Sequence, residues 1–117
     1  MTSKDLAKKI SNLILSKKGY DIKIMDIKKI SSIADYFVIC SADSDIQVKA
    51  IADEIDDKLR DEGIKNYHIE GYDSLNWVLI DYFDVVVNIF KIGTRNYYNL
   101  EKLWSDAPTV TVEDKPA

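Results

Sequence analysis

The stretch NWVLIDYFDVVVNIF, residues 76–90, is the most apolar run of the chain and restricts its possible folds more than any other feature. Side chains alternate between the two faces of a strand, so Trp77 and Asp81 share one face, and Val78 and Ile80 share the other. After the acids in its middle, the run continues as a second apolar strand. A strand pair that is apolar on both faces belongs at the centre of a sheet, or at an edge whose outer face binds a partner. Both placements predict a protein built around a β-sheet.

Hydrophobic periodicity and turn residues predict the other elements around this strand pair. The predicted elements are, in order, a helix over 3–18 stopped by Gly19; strands over 21–27 and 36–41; a helix capped by Asp43 or Ser44 and ended by Gly63; a strand over 67–70; the strand pair, joined near 81–84; and a helix over 93–104 that points Tyr97, Leu100 and Leu103 or Trp104 inward. The order α-β-β-α-β-β-β-α indicates a mixed five-stranded sheet flanked by helices, of the α/β or α+β class.

The length of the chain and its apolar content set the number of domains. With 117 residues, 46% of them apolar, the chain is long enough for one domain with its own core. No repeat or linker divides the sequence, so we expect a single domain over residues 1–104. Residues 105–117, SDAPTVTVEDKPA, contain both prolines and predict a flexible C-terminal tail.

Charge and composition restrict the partners and the compartment. Sixteen basic and twenty acidic residues give a net charge of -4, which argues against bare nucleic acid as the main partner. The excess of lysine lies in residues 1–34, so the chain suits a partner that offers both phosphate and basic protein surface. One cysteine and one histidine allow neither an internal disulfide nor a Cys or His metal centre. Without a long apolar run or a leader pattern, we expect a cytoplasmic protein with no membrane contact.

Three features that could carry chemistry have simpler structural explanations. The turn at 41–44, between a strand and a helix, could cradle a phosphate, but it lacks glycine and contains Asp43, which favours a helix cap. His68 has no candidate nucleophile beside it in the sequence, so it is expected to be an ordinary, half-exposed residue. Cys40 lies within an apolar strand, which indicates a buried thiol used for packing.

Carboxylates near the centre of the apolar run could bind a metal for phosphoryl or nucleotidyl transfer, with Asp26 from another strand as a third ligand. Asp81 and Asp84 are three residues apart, and an odd spacing places them on opposite faces of a strand. No basic residue nearby would hold a substrate phosphate. We therefore predict no catalytic residue, no cofactor and no metal.

Trp77 permits two interpretations, which the pattern alone weighs equally. It belongs either to the core or to an exposed contact site for a basic protein, where the aromatic ring supplies area and the neighbouring acids supply register.

Four blocks in a single order resemble the Iojap-type ribosomal silencing factors of bacteria and organelles. The blocks are DIKIMDI with SSIADYFVICSA, then SDIQVKAIADEID, then EGYDSLNWVLIDYFDVVVNIF, and finally YYNLEKLW, and they span residues 21–104. Members of this family are similar in fold to nucleotidyltransferases but are not enzymes. The resemblance implies binding to the large ribosomal subunit at its protein fourteen, a steric block of small-subunit joining, and repression of translation when nutrients are short.

By position, the resemblance implies a partner-binding surface that includes Trp77, Asp81, Tyr82, Asp84, Asn88 and Tyr98. The acids would meet the basic surface of the ribosomal protein, with a peripheral contact to ribosomal RNA. The family usually has glycine where this chain has Ala42 and Phe83, a polar residue such as arginine at Ile46, and histidine at Asn88. Glycine at position 83 would allow a positive φ that phenylalanine does not readily adopt, so the resemblance is least informative about this turn.

Two alternatives belong to other classes of protein. A nucleotidyltransferase-like nucleotide-binding protein or enzyme would use the turn at 41–44 and the carboxylates. A homodimer would bury the apolar strand pair between two copies.

Overall fold

The computed structural model describes residues 1–113; residues 114–117 lie outside the described part. The elements are α1 (Ser3–Ser16), β1 (Tyr20–Asp26), β2 (Tyr36–Ala42), α2 (Asp45–Asp61), β3 (His68–Glu70), β4 (Trp77–Asp81), β5 (Val85–Lys91), α3 (Thr94–Tyr98), α4 (Leu100–Leu103) and β6 (Thr109–Val112). They confirm the mixed α+β class. No helix within residues 1–113 has the length and apolar character that a membrane crossing requires.

The six strands form one sheet in the order β3-β4-β5-β2-β1-β6. Only β2 and β5 pair in parallel, and the other neighbours are antiparallel. All seven residues of β2 are buried, as expected for a continuously apolar central strand. Helices α1 and α2 cover one side of the sheet, which we call the inner face. The opposite side, which carries Trp77, is the outer face.

Helix α1 begins at a capping box. The Thr2 hydroxyl accepts a hydrogen bond from the Asp5 backbone N–H, and the Asp5 carboxylate accepts one from the Thr2 backbone N–H. The helix ends at Ser16, slightly before the predicted end, and Lys18 rather than Gly19 takes the left-handed conformation, with φ 65°. Gly19 is needed for close packing, because a Cβ atom there would lie 2.3 Å from Ile14 Cγ2.

Helix α2 resolves the choice of cap that the sequence left open. The Ser44 hydroxyl accepts from the Gln47 backbone N–H at 3.2 Å, so Ser44 is the N-cap. The predicted apolar stripe faces the sheet and is fully buried: Val48, Ile51, Ala52, Ile55 and Leu59. This stripe and α1 form the larger core of the protein on the inner face.

The C-terminal residues form an edge strand, which corrects the predicted tail and raises the number of strands from five to six. Thr109–Val112 pairs antiparallel with β1, with Val110 opposite Ile24 and Thr111 opposite Lys23. The segment TVTV alternates two β-branched residue types, which favour extended backbone, and the edge of β1 offers free hydrogen-bonding groups. Pro108, one of the two prolines that suggested a tail, does not interrupt the strand because it lies just outside it.

The single helix predicted over residues 93–104 is also wrong. Asn99 adopts a left-handed conformation, with φ 49°, and divides the segment into α3 and α4. Asparagine tolerates this conformation better than most residues, so it can interrupt a helical pattern. Leu100 and Trp104 pack against the outer-face core as predicted, whereas Tyr97 and Leu103 are 84% and 67% exposed.

Candidate functional site

Strand β4 presents its outer-face side chains partly to solvent. Trp77, Leu79 and Asp81 are half-buried, whereas Val78 and Ile80 between them are fully buried on the inner face. This alternation confirms the predicted faces of the strand. We use the name Trp77 surface for Trp77, Leu79 and Asp81 with two exposed neighbours, Asp84 and Tyr98.

The Trp77 indole lies among aromatic rings. Its centroid is 5.1 Å from that of Phe90, with 25° between the planes, and 4.7 Å from that of Tyr98. Phe90 is fully buried and Tyr98 is 48% exposed, so the indole connects the core to the surface. Of the two interpretations of Trp77, the structure supports a combination, because the ring packs on the core and remains accessible.

Asn88 holds the indole from below. Trp77 Nε1 donates a hydrogen bond to Asn88 Oδ1 at 3.0 Å. Asn88 itself is fully buried, and its Nδ2 has no hydrogen-bond partner among the described residues. A buried amide donor without a partner is costly, typically by about 1–3 kcal/mol. The hydrogen bond that Asn88 Oδ1 accepts from the indole orients Trp77 from beneath the surface.

The turn between β4 and β5 brings the two acids to the same end of the surface. Asp81 Oδ1 accepts from the Phe83 backbone N–H at 2.8 Å. The Asp84 N–H donates to the Tyr82 carbonyl at 3.0 Å, and Phe83 between them has φ 75°. This is the geometry of a classic γ-turn, a rare and strained conformation for a non-glycine residue. Asp84 lies in the turn rather than on a strand, and it is exposed.

Tyr82 supports the turn from inside the protein. It is 6% exposed, and its hydroxyl donates to Asp56 Oδ1 at 3.1 Å. Asp56 also accepts from Asn66 Nδ2 at 2.7 Å and is paired with Arg60. Burial, together with the nearby Asp56 carboxylate, raises the pKa of Tyr82 above its ordinary value. The hydroxyl thus remains protonated and fixes the turn to α2.

Sequence reasoning missed an exposed aromatic pair beside this turn. Phe83 is 64% exposed and Tyr67 is 73% exposed, and their ring centroids are 5.5 Å apart. The Tyr67 N–H donates to the Asp81 carbonyl at 2.8 Å, which aligns the two segments. The only signal in the sequence is two aromatic residues in separate turns, and their proximity depends on the pairing of β3 with β4.

Local hydrogen bonds use two of the backbone donors at the turn over 41–44. The Asp43 N–H donates to Gln47 Oε1 at 2.6 Å, and the Gln47 N–H is used by the cap. The Asp43 carboxylate accepts from the Tyr20 hydroxyl at 2.7 Å, and this bond raises the pKa of Tyr20 to about 12. The local hydrogen bonds are therefore those of a capped helix.

The carboxylates proposed for metal binding are also apart. Asp26 lies opposite Tyr36 on the inner side of β1, whereas Asp81 is on the outer face of β4. Strands β5 and β2 lie between them, so three strand spacings, roughly 14 Å, separate the two. In residues 1–113, no group of three or more His, Cys, Asp or Glu side chains is placed to hold a metal ion.

Taken together, the fold and this surface define a class: a small α+β protein with an aromatic and acidic patch on the outer face of its sheet. A family model described as "Ribosomal silencing factor during starvation" matches residues 1–117. The chain belongs to this family of ribosomal silencing factors. The four sequence blocks are thereby confirmed as a true resemblance.

Relatives agree over almost the full length. The chain is 45% identical to the ribosomal silencing factor RsfS of Halalkalibacterium halodurans over 113 residues, which is 97% of each protein. It is 45% identical to RsfS of Bacillus subtilis, over 97% of this chain and 96% of that protein. A crystal structure of a protein from Chromobacterium violaceum superimposes with a TM-score of 0.87 at 32% identity, over 100% of this chain and 92% of the other.

Proposed function

We propose that this protein binds the large ribosomal subunit at its protein fourteen and prevents the small subunit from joining. In this way it represses translation when nutrients are limiting, in the cytoplasm where ribosomes assemble. The proposal rests on family membership and on one observation: the Trp77 surface combines an accessible aromatic platform with two carboxylates. It assigns this chain a regulatory role without catalysis.

Trp77 is the residue expected to contribute most to binding. Tryptophan is enriched among the residues that dominate interface energies, and a ring already packed on Phe90 and Tyr98 loses little conformational freedom on binding. Tyr98 extends the same apolar area. Asn88 and Tyr82 are buried, so in this proposal they support Trp77 and the turn instead of first meeting the partner.

Asp81 and Asp84 supply orientation and an attraction to basic protein. Carboxylates at the rim of an interface guide a basic partner into register and increase the association rate. The lysine-rich N-terminal third lies on other elements, α1 and β1, and we assign any peripheral contact with ribosomal RNA to it.

Steric exclusion needs no chemistry. A standard interface buries about 800 Å² on each partner, which a protein of this size can provide. A bound protein at the docking position then blocks a much larger particle.

A homodimer off the ribosome would use the same surface between two copies of the chain. Sedimentation equilibrium of Trp77→Ala against the parent protein tests this dimer contact separately.

Co-sedimentation with isolated ribosomal subunits tests the proposal. We expect the parent protein to pellet with large subunits and not with small ones. Trp77→Ala and Asp84→Lys should each weaken pelleting at least about tenfold, which corresponds to 1.4 kcal/mol of binding free energy. Asp57→Lys is the matched control, because Asp57 is an exposed acid on α2 away from the Trp77 surface. Equal binding to both subunits, or to neither, would overturn the proposal.

A further inference from the structure

We infer that the outer edge of β6 is a second docking site, which takes an extended acidic segment of a partner protein as a seventh strand. The inference goes beyond the proposed function, because β6 is at the opposite edge of the sheet from β3 and β4. Four strand spacings, roughly 19 Å, separate β6 from the strand that carries Trp77. Both sites can therefore be occupied at once.

The backbone of β6 has free hydrogen-bonding groups on its outer side. The Asp26 N–H donates to the Pro108 carbonyl at 2.8 Å, so the Pro108 carbonyl points toward β1. Bonding direction alternates along an antiparallel strand, so Val110 also bonds to β1, whereas Thr109 and Thr111 direct their N–H and C=O groups outward. Within residues 1–113, no strand pairs with this outer side.

Apart from its short length and the preceding Pro108, β6 has no feature that protects this edge. Natural sheets usually shield their edge strands with charged residues, proline, bulges or very short length. The other edge, β3, has only three residues and carries His68 and Glu70. By contrast, the four residues of β6, TVTV, have no charge, no proline and no break in their pairing with β1. An exposed strand of this kind is a template for β-strand addition.

A cavity beside the edge indicates which side chains the added strand would carry. The cavity has a volume of about 220 Å³, and its apolar walls include Ile24, Tyr36 and Val110 on the inner face. Val110 is 62% exposed, although the residue is apolar. An added strand would place one apolar side chain against Val110, where it would cover this surface.

Two lysines of α1 supply the charge preference. Lys4 and Lys8 also line the cavity, and both are exposed. No carboxylate of residues 1–113 forms an ion pair with either of them. The one acid in the wall, Asp26, is already paired with Lys28 at 3.6 Å. The unpaired positive charges therefore favour a segment with acidic residues on both sides of its apolar residue.

Peptide binding tests this inference. The probe is a fluorescein-labelled peptide ETVTET, which places glutamate, valine and glutamate on one face of a strand, and its counterpart is KTVTKT. By fluorescence anisotropy, we expect the acidic peptide to bind at least about tenfold more tightly than the basic one. Lys4→Glu with Lys8→Glu should reverse this preference. Lys17→Glu with Lys58→Glu is the charge-matched control, because these lysines are exposed but lie away from the cavity.

Two further measurements test the strand itself. Thr111→Pro removes one outward N–H and leaves the hydrogen bonds to β1, so it should abolish peptide binding in a protein that remains folded. In the parent protein, the amides of Thr109 and Thr111 should gain protection from hydrogen exchange on peptide binding, while that of Val110 is already protected. Unchanged exchange at both threonines, or equal binding of the two peptides, would overturn the inference.

The outcomes separate this site from the others. Trp77→Ala should leave peptide binding unchanged, so loss of ribosome binding and loss of peptide binding are distinct results. Sedimentation equilibrium shows whether the edge pairs with a second copy of the chain. If the parent protein forms a dimer and Thr111→Pro dissociates it, the occupant of the β6 edge is a second copy of the chain. This result would overturn the assignment of the edge to an acidic segment of a partner.

Discussion

Phe83 shows how one side chain can occupy a position that favours glycine. Its φ of 75° lies in the left-handed region, and three contacts hold it there: the hydrogen bond from its N–H to Asp81, the bond from the Asp84 N–H to the Tyr82 carbonyl, and the ring contact with Tyr67. This turn is therefore formed by a residue that carries a Cβ atom. The cost is backbone strain, roughly 1–2 kcal/mol for a residue with a Cβ atom.

Substitution at this position should separate strain from contact. Phe83→Ala keeps the strain and loses the ring contact with Tyr67, whereas Phe83→Gly loses the contact but relieves the strain. We expect Phe83→Gly to be more stable than Phe83→Ala by about 1 kcal/mol in the free energy of unfolding, measured by urea denaturation. Equal stability of the two variants would show that the turn is not strained.

At the scale of elements, α2 is fixed to the candidate surface by one carboxylate. Asp56 is 6% exposed and accepts hydrogen bonds from Tyr82 and Asn66, besides its ion pair with Arg60. The neighbouring acid Asp53 accepts from the Tyr72 hydroxyl at 2.9 Å. Two of the acids on α2 thus have a structural role.

Removal of the Asp56 carboxylate should be costly. Asp56→Ala leaves the buried Tyr82 hydroxyl and the Asn66 amide without their acceptor, so we expect a loss of about 2–4 kcal/mol in the free energy of unfolding. Asp57→Ala, the next residue on the same helix, is exposed and should change this energy by less than about 0.5 kcal/mol. Urea denaturation of both variants measures the difference. A similar, small loss in both would mean that Asp56 does not fix the turn.

At the scale of the whole molecule, one thiol and two phenols with raised pKa values make the free energy of unfolding depend on pH in the alkaline range. Burial raises the pKa of the Cys40 thiol from 9.0 to about 12. Burial and the Asp56 carboxylate raise that of Tyr82, and burial with a hydrogen bond to Asp53 raises that of Tyr72. The folded protein therefore keeps protons that the unfolded chain releases above pH 9.

Because the folded pKa values are the higher ones, this stabilisation is complete below the unfolded pKa and is lost as the pH rises toward the folded pKa. We expect the free energy of unfolding to fall above pH 9, by up to about 1.4 kcal/mol per pH unit from Cys40 alone. Urea denaturation at pH about 8 and about 10.5 measures this slope. Cys40→Ala should show a smaller slope, and an identical slope would contradict the assignment to the thiol.

The sequence by itself determined the strongly periodic parts of this protein. The stripe of α2, the buried strand β2 and the alternation of Trp77 and Val78 follow from spacing alone, because periods of 3.6 and 2 fix which side chains share a face. The membership of the family also followed from the order of four blocks. These features depend on local pattern, which needs no knowledge of neighbouring elements.

Only the tertiary structure decided the rest. β6 forms because the edge of β1 is available to it, and Asn99 divides α3 from α4 although the apolar spacing continues across it. The same holds for the site: Trp77 meets Phe90 through the register of β4 with β5, and Tyr82 meets Asp56 across 26 positions of sequence. Contacts between distant segments depend on how strands pair and pack, and that information is distributed over the whole chain.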